Sequence, residues 1–247
     1  MTRALWSLRS NQARIEGNQL DAKLDLSRPY SGLFDIHADK VPLRDTTLTA
    51  LRFPTCDEDQ AIQPTQSRAR HGDLSVSYPA STDWPVNVDV LWRIASPTAV
   101  ELVLSVWTDQ LVSHPRLAVR SRLATDEVLR VTDAGSGVCQ ATDIRPGETL
   151  ELKPDGGPGC LLLRLAGAEL SYVEMVHPAD FLDDQIVRGT QDDGLFEIRH
   201  HLFPEPLEKG VLRQARLRGV FLPREGDMET AAVLYSKFAA SEPSVAG

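Results

Sequence analysis

The side chains best suited to chemistry lie close together near the end of the chain, between residues 200 and 218. His200 and Glu205 are separated by a short segment that contains proline, and a histidine acid and a glutamate base at one rim could transfer protons on a sugar. Arg213, Arg216 and Arg218 follow on the next predicted strand, and guanidinium groups bind carboxylates or phosphates through paired hydrogen bonds. We therefore predict catalytic roles for His200 and Glu205 and ligand binding by the three arginines.

Strand geometry limits which of these side chains can act together, because neighbouring residues on a strand point to opposite faces. His200 and His201 therefore cannot serve the same ligand. Arg216 and Arg218 share a face about 7 Å apart, which suits two acidic groups of a ligand and equally suits ion pairs with glutamates on a neighbouring strand. Arg213 points to a largely apolar face, where an arginine needs a buried acid or an open cleft.

Two of the four tryptophans are candidates for stacking on a sugar ring. Trp84 lies in the turn STDWPV, and we expect it at the surface. Trp107 is expected on the strand face opposite Leu104 and Val106, where it could line a groove. We predict that both tryptophans contact the ligand, although a loop tryptophan can also close the end of a sheet.

Established motifs for other chemistries are absent from the sequence. It contains no phosphate-binding G-x-x-x-x-G-K-[ST], no H-E-x-x-H and no G-x-S-x-G. The acid pairs Asp57–Asp59, Asp183–Asp184 and Asp192–Asp193 could offer oxygen ligands to a hard cation, but none follows the calcium-loop pattern. We expect no metal site and no cofactor, and we keep a metal-dependent enzyme only as a third alternative.

Runs of alternating apolar and polar residues predict half-buried antiparallel strands along most of the chain, with residues 117–123 and 127–132 as two separate strands. The sequence therefore predicts an all-β fold, a large antiparallel β-sandwich that forms one domain over residues 1–247. Residues 227–240 differ, because apolar side chains recur there at helical spacing and Asp227 can cap a C-terminal amphipathic helix. The stretches 54–72 and 177–194 are irregular, and long loops of this kind often carry function.

Composition narrows the class of partner and the compartment. The chain has 247 residues, a net charge of −9 and a pI near 5.2, which argues against nucleic acid. No run of 18 apolar residues occurs, so we expect no membrane partner. The three cysteines, Cys56, Cys139 and Cys160, form no C-x-x-C pair, and we expect them to be reduced in the cytoplasm. The expected partner is a carbohydrate or an anionic small molecule, and the oligomeric state stays open.

Three long strands follow one another in the segments GDLSVSYP, WPVNVDVLWRI and VELVLSVWTD. In its length and its succession of strands, the chain resembles the galactose-mutarotase-like supersandwich over residues 20–222. This resemblance implies a fold used by carbohydrate epimerases and polysaccharide-processing enzymes, in which a glutamate base and a histidine acid act on the sugar ring. No motif assigns those two roles to positions of this sequence. We therefore expect a β-sandwich that binds, and possibly modifies, a carbohydrate or sugar acid; the alternative is a non-catalytic scaffold that binds another protein.

Overall fold

The alternating segments form extended strands, and a computed structural model of the protein pairs them into two stacked antiparallel sheets. The structure describes residues 5–55, 60–133, 135, 137–190 and 194–242. The architecture is the all-β sandwich predicted from the sequence, and one α-helix follows the last strand within the described residues.

The strands are numbered in chain order. They are β1 (Leu5–Arg9), β2 (Gln12–Glu16), β3 (Leu20–Asp25), β4 (Leu33–Ala38), β5 (Val41–Leu43), β6 (Thr47–Arg52), β7 (Gln66–Arg70), β8 (Asp73–Tyr78), β9 (Asn87–Ser96), β10 (Ala99–Trp107), β11 (Val112–Ser113), β12 (Leu117–Asp133), β13 (Val138–Ala141), β14 (Thr149–Leu152), β15 (Cys160–Leu165), β16 (Leu170–Val176), β17 (Asp183–Arg188), β18 (Leu195–Leu202), β19 (Leu207–Glu208) and β20 (Leu212–Pro223). Helix α1 spans Asp227–Ala239, and short 3-10 turns span Pro29–Ser31 and Pro154–Gly156.

Two sheets share the long strand β12. The front sheet has the order β1-β2-β3-β4-β6-β12-β18-β17-β14, and β5 pairs with the end of β4. The back sheet has the order β7-β8-β9-β10-β20-β16-β15-β12-β13. The short strands β11 and β19 pair with each other. Every one of these pairings is antiparallel, as the alternating sequence predicts.

The prediction of two strands at 117–123 and 127–132 is wrong, because β12 runs through both without a break. Its first half pairs with β6 and β18 in the front sheet, and its second half pairs with β13 and β15 in the back sheet. The pairing with β15 shifts register between Thr125 and Glu127. A β-bulge of this kind turns the strand and re-aims its side chains, so one strand can cross from one sheet to the other.

Two apolar layers hold the molecule together. The larger core fills the space between the sheets and includes Trp92, which is fully buried, as its inward position predicts. The smaller core lies between the back sheet and α1, where Ala231, Tyr235 and Phe238 of the helix are buried. The apolar stripe predicted for the helix is therefore confirmed.

Asp227 does not cap the helix as predicted. The N-cap position is Gly226, with φ 69°, and Asp227 is the first helical residue. The Asp227 carboxylate is buried and accepts hydrogen bonds from Arg164 Nε at 2.9 Å and Ser171 Oγ at 2.7 Å. It therefore fastens the start of the helix to the back sheet. Within the described part of the chain, no helix has the length and apolarity needed to cross a membrane.

The two stretches predicted to be irregular contain strands. Strand β7 lies within 54–72, and β17 lies within 177–194. Charged and polar residues hide the alternation there, since the two strands read QSRAR and DDQIVR. The remaining parts of these stretches include residues 56–59 and 191–193, which are outside the described residues.

Candidate binding groove and the buried network beneath it

A groove of about 1020 Å³ runs over the outer face of the front sheet. Its lining comes from β4, β6, β12 and the start of β18, from the 3-10 turn Pro29–Ser31, and from the loop that follows β5. This volume is at the upper end of the roughly 300–1000 Å³ typical of small-molecule sites. The outer face of the front sheet is therefore the leading candidate for a binding surface.

Three arginines in this groove carry unpaired charge. Arg28, Arg44 and Arg122 are exposed and line the groove. Among the residues that the structure describes, none of them makes an ion pair or a side-chain hydrogen bond. A guanidinium group without an internal partner is free to bind a carboxylate or phosphate from outside.

Two more arginines on the outer face of the sheet contact the same acid. Arg120 on β12 lies opposite Arg199 on β18. The Glu197 carboxylate lies 3.3 Å from Arg120 Nη1 and 2.5 Å from Arg199 Nε. Arg122 occupies the next outward position of β12, so three arginines lie close together on this part of the sheet.

Close backbone packing positions the 3-10 turn that follows Arg28. Gly32 ends that turn with φ 58°, and a Cβ atom there would lie 2.3 Å from the Leu48 carbonyl oxygen. Only glycine fits both this left-handed conformation and this close approach. Gly32 therefore lets the turn that carries Arg28 and Tyr30 rest directly on β6.

An irregularity in β6 shapes the floor beside Arg122. Arg120 pairs with Ala50 and Arg122 with Thr47, so β6 has one extra residue opposite this short section of β12. Thr49 in that bulge has φ 54°, a conformation rarely adopted by a β-branched residue. Its N–H donates to Ser121 Oγ at 3.0 Å, so contact with the inner face of β12 holds the strained residue in place.

The groove also offers hydrogen-bond acceptors and an aromatic ring. Asp25 accepts hydrogen bonds from the Ser27 N–H and hydroxyl at 2.9 and 2.6 Å. Asp35 lies 2.7 Å from Lys23 Nζ, and the hydrogen bond from Lys23 lowers the pKa of the Asp35 carboxyl. Tyr30 and His37 complete this part of the lining. Carboxylates, an imidazole and an aromatic ring are groups that can contact sugar hydroxyls and ring faces.

A buried polar network lies on the other side of the same sheet. His200 Nε2 is 2.7 Å from Glu174 Oε1, and His200 Nδ1 makes an ion-pair contact of 2.8 Å with Asp184 Oδ1. The Ser121 and Tyr172 hydroxyls both donate to Glu174 Oε2 at 2.7 Å. All five side chains are buried. Since Glu174 and Tyr172 come from the back sheet, the network joins the two sheets.

Electrostatics fixes the charge of this network. Burial alone would lower the pKa of His200, but the Asp184 and Glu174 carboxylates raise it to about 10. Burial alone would raise the pKa of Glu174, but the hydrogen bond from His200 lowers it. The ring is therefore an imidazolium at neutral pH, held between two carboxylates.

The two residues predicted to be catalytic have different surroundings. His200 is 1% exposed and contacts Glu174 and Asp184, whereas Glu205 is an exposed residue that lies 2.7 Å from Arg213 Nη1. The neighbouring His201 points to the opposite face, as the alternation predicts, and contacts Asp183 at 2.6 Å. Catalysis by His200 and Glu205 stays a prediction.

The three arginines predicted to bind a ligand each have internal partners. Arg213 pairs with Glu205, and Arg218 pairs with Glu101 on the neighbouring strand β10. Arg216 is buried and donates to the backbone carbonyl oxygens of Ser241 and Glu242 at 3.0 and 2.9 Å. Arg216 and Arg218 share a face, as predicted, and both lie over the Phe238 ring of α1.

The two tryptophans also differ from each other. The expected exposure of Trp84 is wrong, since this side chain is 6% exposed. Its ring packs against Phe53, and its indole N–H donates to the Pro115 carbonyl oxygen at 3.0 Å. Trp107 is 36% exposed on the outer face of the back sheet, opposite Leu212. Ligand binding by these two residues stays a prediction.

Sequence reasoning missed the arginines of the groove. Arg120 and Arg122 alternate in AVRSRLA as Arg216 and Arg218 do in QARLRG, so the same criterion could have found them. Arg28 and Arg44 lie outside strands and have no such signal, because only the packing of the 3-10 turn and the loop after β5 brings them together.

Comparison with known proteins agrees with this architecture. No family model matches the sequence, and no curated protein matches it. Solved structures match its fold, and one is the Slr1438 protein from Synechocystis sp. PCC 6803, with a TM-score of 0.67 and 9% identity over 87% of this chain and 97% of that one. A candidate aldose 1-epimerase from Escherichia coli K12 has a TM-score of 0.62 and 9% identity over 89% of this chain and 99% of that one.

A candidate mutarotase, YeaD, from Salmonella typhimurium gives a TM-score of 0.59 and 8% identity over 90% of this chain and 94% of that one. The chain has the galactose-mutarotase-like β-sandwich fold. At these identities the likeness concerns the fold alone, because one fold supports many activities.

Proposed function

We propose that the protein binds a sugar acid or a sugar phosphate in the groove on its front sheet. The observation that carries this proposal is the convergence of Arg28, Arg44 and Arg122 on one groove without internal partners. All three side chains are exposed, so water solvates them until an acidic group of a ligand replaces that water through charge-assisted hydrogen bonds. The fold supports a carbohydrate as the rest of the ligand, because one solved structure of the same fold is named as a candidate aldose 1-epimerase and another as a candidate mutarotase.

The other groups of the groove suit the neutral part of such a ligand. Asp25 and Asp35 offer carboxylate oxygens that accept hydrogen bonds from sugar hydroxyls, and Tyr30 offers a ring face. The arginines would hold the acidic group through charge-assisted hydrogen bonds. An acidic sugar uses all of these groups, whereas a simple inorganic anion uses only the arginines.

Isothermal titration with D-glucuronate, glucose 6-phosphate and D-glucose tests this proposal. We expect the two acidic sugars to bind, and Arg122→Ala to weaken their binding roughly 10- to 150-fold, the scale of a charged hydrogen bond of about 1.5–3 kcal/mol. Arg68→Ala is the matched control, because Arg68 is an exposed arginine on β7, away from the groove. Equal binding by both variants, or D-glucose binding as tightly as D-glucuronate, would exclude the groove as the site of the acidic group.

We further propose that the protein interconverts the anomers of the bound sugar. Interconversion of anomers needs an acid at the ring oxygen and a base at the anomeric hydroxyl. His37 and Asp35 are titratable groups in the groove, and they are close enough for the His37 charge to contribute to the lowered pKa of Asp35, after the larger effect of Lys23. Polarimetry of freshly dissolved glucuronate should show faster mutarotation with the protein than with the His37→Ala variant; equal rates would leave a binding protein without this activity.

We also propose a cytoplasmic location. Cys139 and Cys160 are free thiols, and burial raises the pKa of each, so neither is a reactive thiolate. Cys56 lies outside the described residues. Mass spectrometry of the unreduced protein should find no intrachain disulfide, and a native disulfide between any two cysteines would contradict this location.

A further inference from the structure

The groove is one section of a longer trough on the outer face of the front sheet. A depression of about 340 Å³ shares Asp35 and His37 with the groove. A further depression of about 430 Å³ shares Arg14 and Lys23 with the second one. At the other end, a depression of about 330 Å³ shares Arg122 and Leu195 with the groove. Shared lining residues therefore place these four depressions next to one another along the outer face of the sheet.

We propose that this trough binds an acidic oligosaccharide, with the groove holding one of its sugar units. This inference rests on the proposed function and adds the size of the ligand. The trough crosses the neighbouring strands β1, β2, β3, β4, β6, β12 and β18. Six spacings of about 4.8 Å give a length of roughly 29 Å, which exceeds a monosaccharide several-fold.

Charged side chains recur along the whole trough. Beyond the groove, Lys40 and Arg9 are exposed lining residues that make no ion pair within the described part of the chain. Between them, Arg14 pairs with Asp21 at 2.8 Å and Lys23 pairs with Asp35 at 2.7 Å. Unpaired cations therefore lie on both sides of two neighbouring ion pairs.

A ligand that matches this arrangement has several negative charges separated by hydroxyl groups. The paired carboxylates can accept hydrogen bonds from hydroxyls, and the unpaired cations can bind the acidic groups. A uronic acid oligomer has this chemistry. A nucleic acid fits less well, because carboxylates such as Glu16, Asp21 and Asp35 in the trough would repel its closely spaced phosphates.

Titration with galacturonate and with its dimer, tetramer and hexamer tests the inference on the full chain. We expect the affinity to rise at least 10-fold from monomer to tetramer. Lys40→Ala should weaken binding of the tetramer several-fold and leave monomer binding unchanged, since Lys40 lies outside the groove. Arg68→Ala should change neither affinity.

The result separates this inference from the proposed function. Monomer binding that is lost in Arg122→Ala, together with an affinity that does not change with ligand length, would overturn the long trough and retain the acidic-sugar site. Tighter binding of a single-stranded oligonucleotide than of the hexamer would overturn the choice of ligand. Rising affinity with chain length that depends on Lys40 supports the inference.

Discussion

The two faces of the front sheet differ in the surroundings of their charged side chains, which are buried and paired on the inner face and exposed on the outer face. On β12, Ser121 points inward to the buried Glu174, while its neighbours Arg120 and Arg122 point outward to the groove. On β18, His200 points inward and Arg199 outward. A shift of one residue along a strand therefore separates the buried network from the solvent-exposed groove in which we propose that the ligand binds.

Burial explains the difference. An isolated charge inside the protein loses several kcal/mol of solvation, so the His200 imidazolium requires both Glu174 and Asp184. Water solvates Arg28, Arg44 and Arg122 on the outside, so these residues can stay unpaired until a ligand arrives. The inner face should control stability, and the outer face should control binding.

The largest expected effect follows from removing one inner charge. Glu174→Gln leaves hydroxyl donors and an imidazolium without their carboxylate, and we expect it to lower the free energy of unfolding by about 3–5 kcal/mol. Urea denaturation measures this loss. Glu151→Gln is the control, since Glu151 is an exposed carboxylate on β14 and should change stability by less than about 0.5 kcal/mol. Similar small effects in both variants would contradict a structural role for the network.

The pH dependence of stability sharpens the same comparison. Because the pKa of His200 is raised to about 10 in the folded state, its stabilising contribution is complete below the ordinary histidine pKa of about 6.5. That contribution is lost as the pH rises from there towards 10. His200→Gln should remove this part of the pH dependence, measured by urea denaturation between pH 6 and 10.

His201→Gln provides the matched control, because the adjacent His201 is half-exposed and faces the outside. It should retain the loss of stability at rising pH. If both variants kept the same slope as the unmodified protein, the imidazolium form of His200 would not contribute to folding.

A smaller effect is expected where the outer face depends on packing. Gly32→Ala combines a left-handed backbone with a clash against Leu48, so it should lower the free energy of unfolding by about 1–3 kcal/mol. Gly210 also has a positive φ, at 82°, but open space surrounds it. The loss of stability in Gly210→Ala therefore measures the cost of the left-handed backbone without a clash. Gly32→Ala should be the more destabilising of the two and should also weaken acidic-sugar binding, as thermal melts and titration would show. Equal losses would mean that the close approach at Gly32 does not matter.

The smallest effect should come from a surface ion pair. Arg213 and Glu205 are partly exposed, and Arg213→Ala should lower stability by only about 0–1 kcal/mol. Arg216→Ala should lower stability by more, because this buried arginine donates hydrogen bonds to the backbone carbonyl oxygens of Ser241 and Glu242. A thermal melt of both variants ranks them, and a larger loss for Arg213→Ala would reverse this assignment.

The sandwich could be predicted from the amino-acid sequence, because strand alternation is a local property of each segment. The sequence also placed His200 and His201 on opposite faces and located the apolar stripe of α1, for the same reason. It could not identify the partners of His200, since Glu174 and Asp184 lie on other strands, and it placed Trp84 at the surface because a turn says nothing about what packs over it.

Which arginines stay unpaired depends on how the folded chain packs. Arg216, Arg218 and Arg122 have similar strand contexts in the sequence, yet the segment after α1 and strand β10 supply partners to the first two, and nothing among the described residues supplies one to the third. Gly32 lets the 3-10 turn beside Arg28 rest on β6, and the loop after β5 brings Arg44 to the same groove. Pairing and convergence depend on distances between remote segments, and those distances exist only once the two sheets have packed.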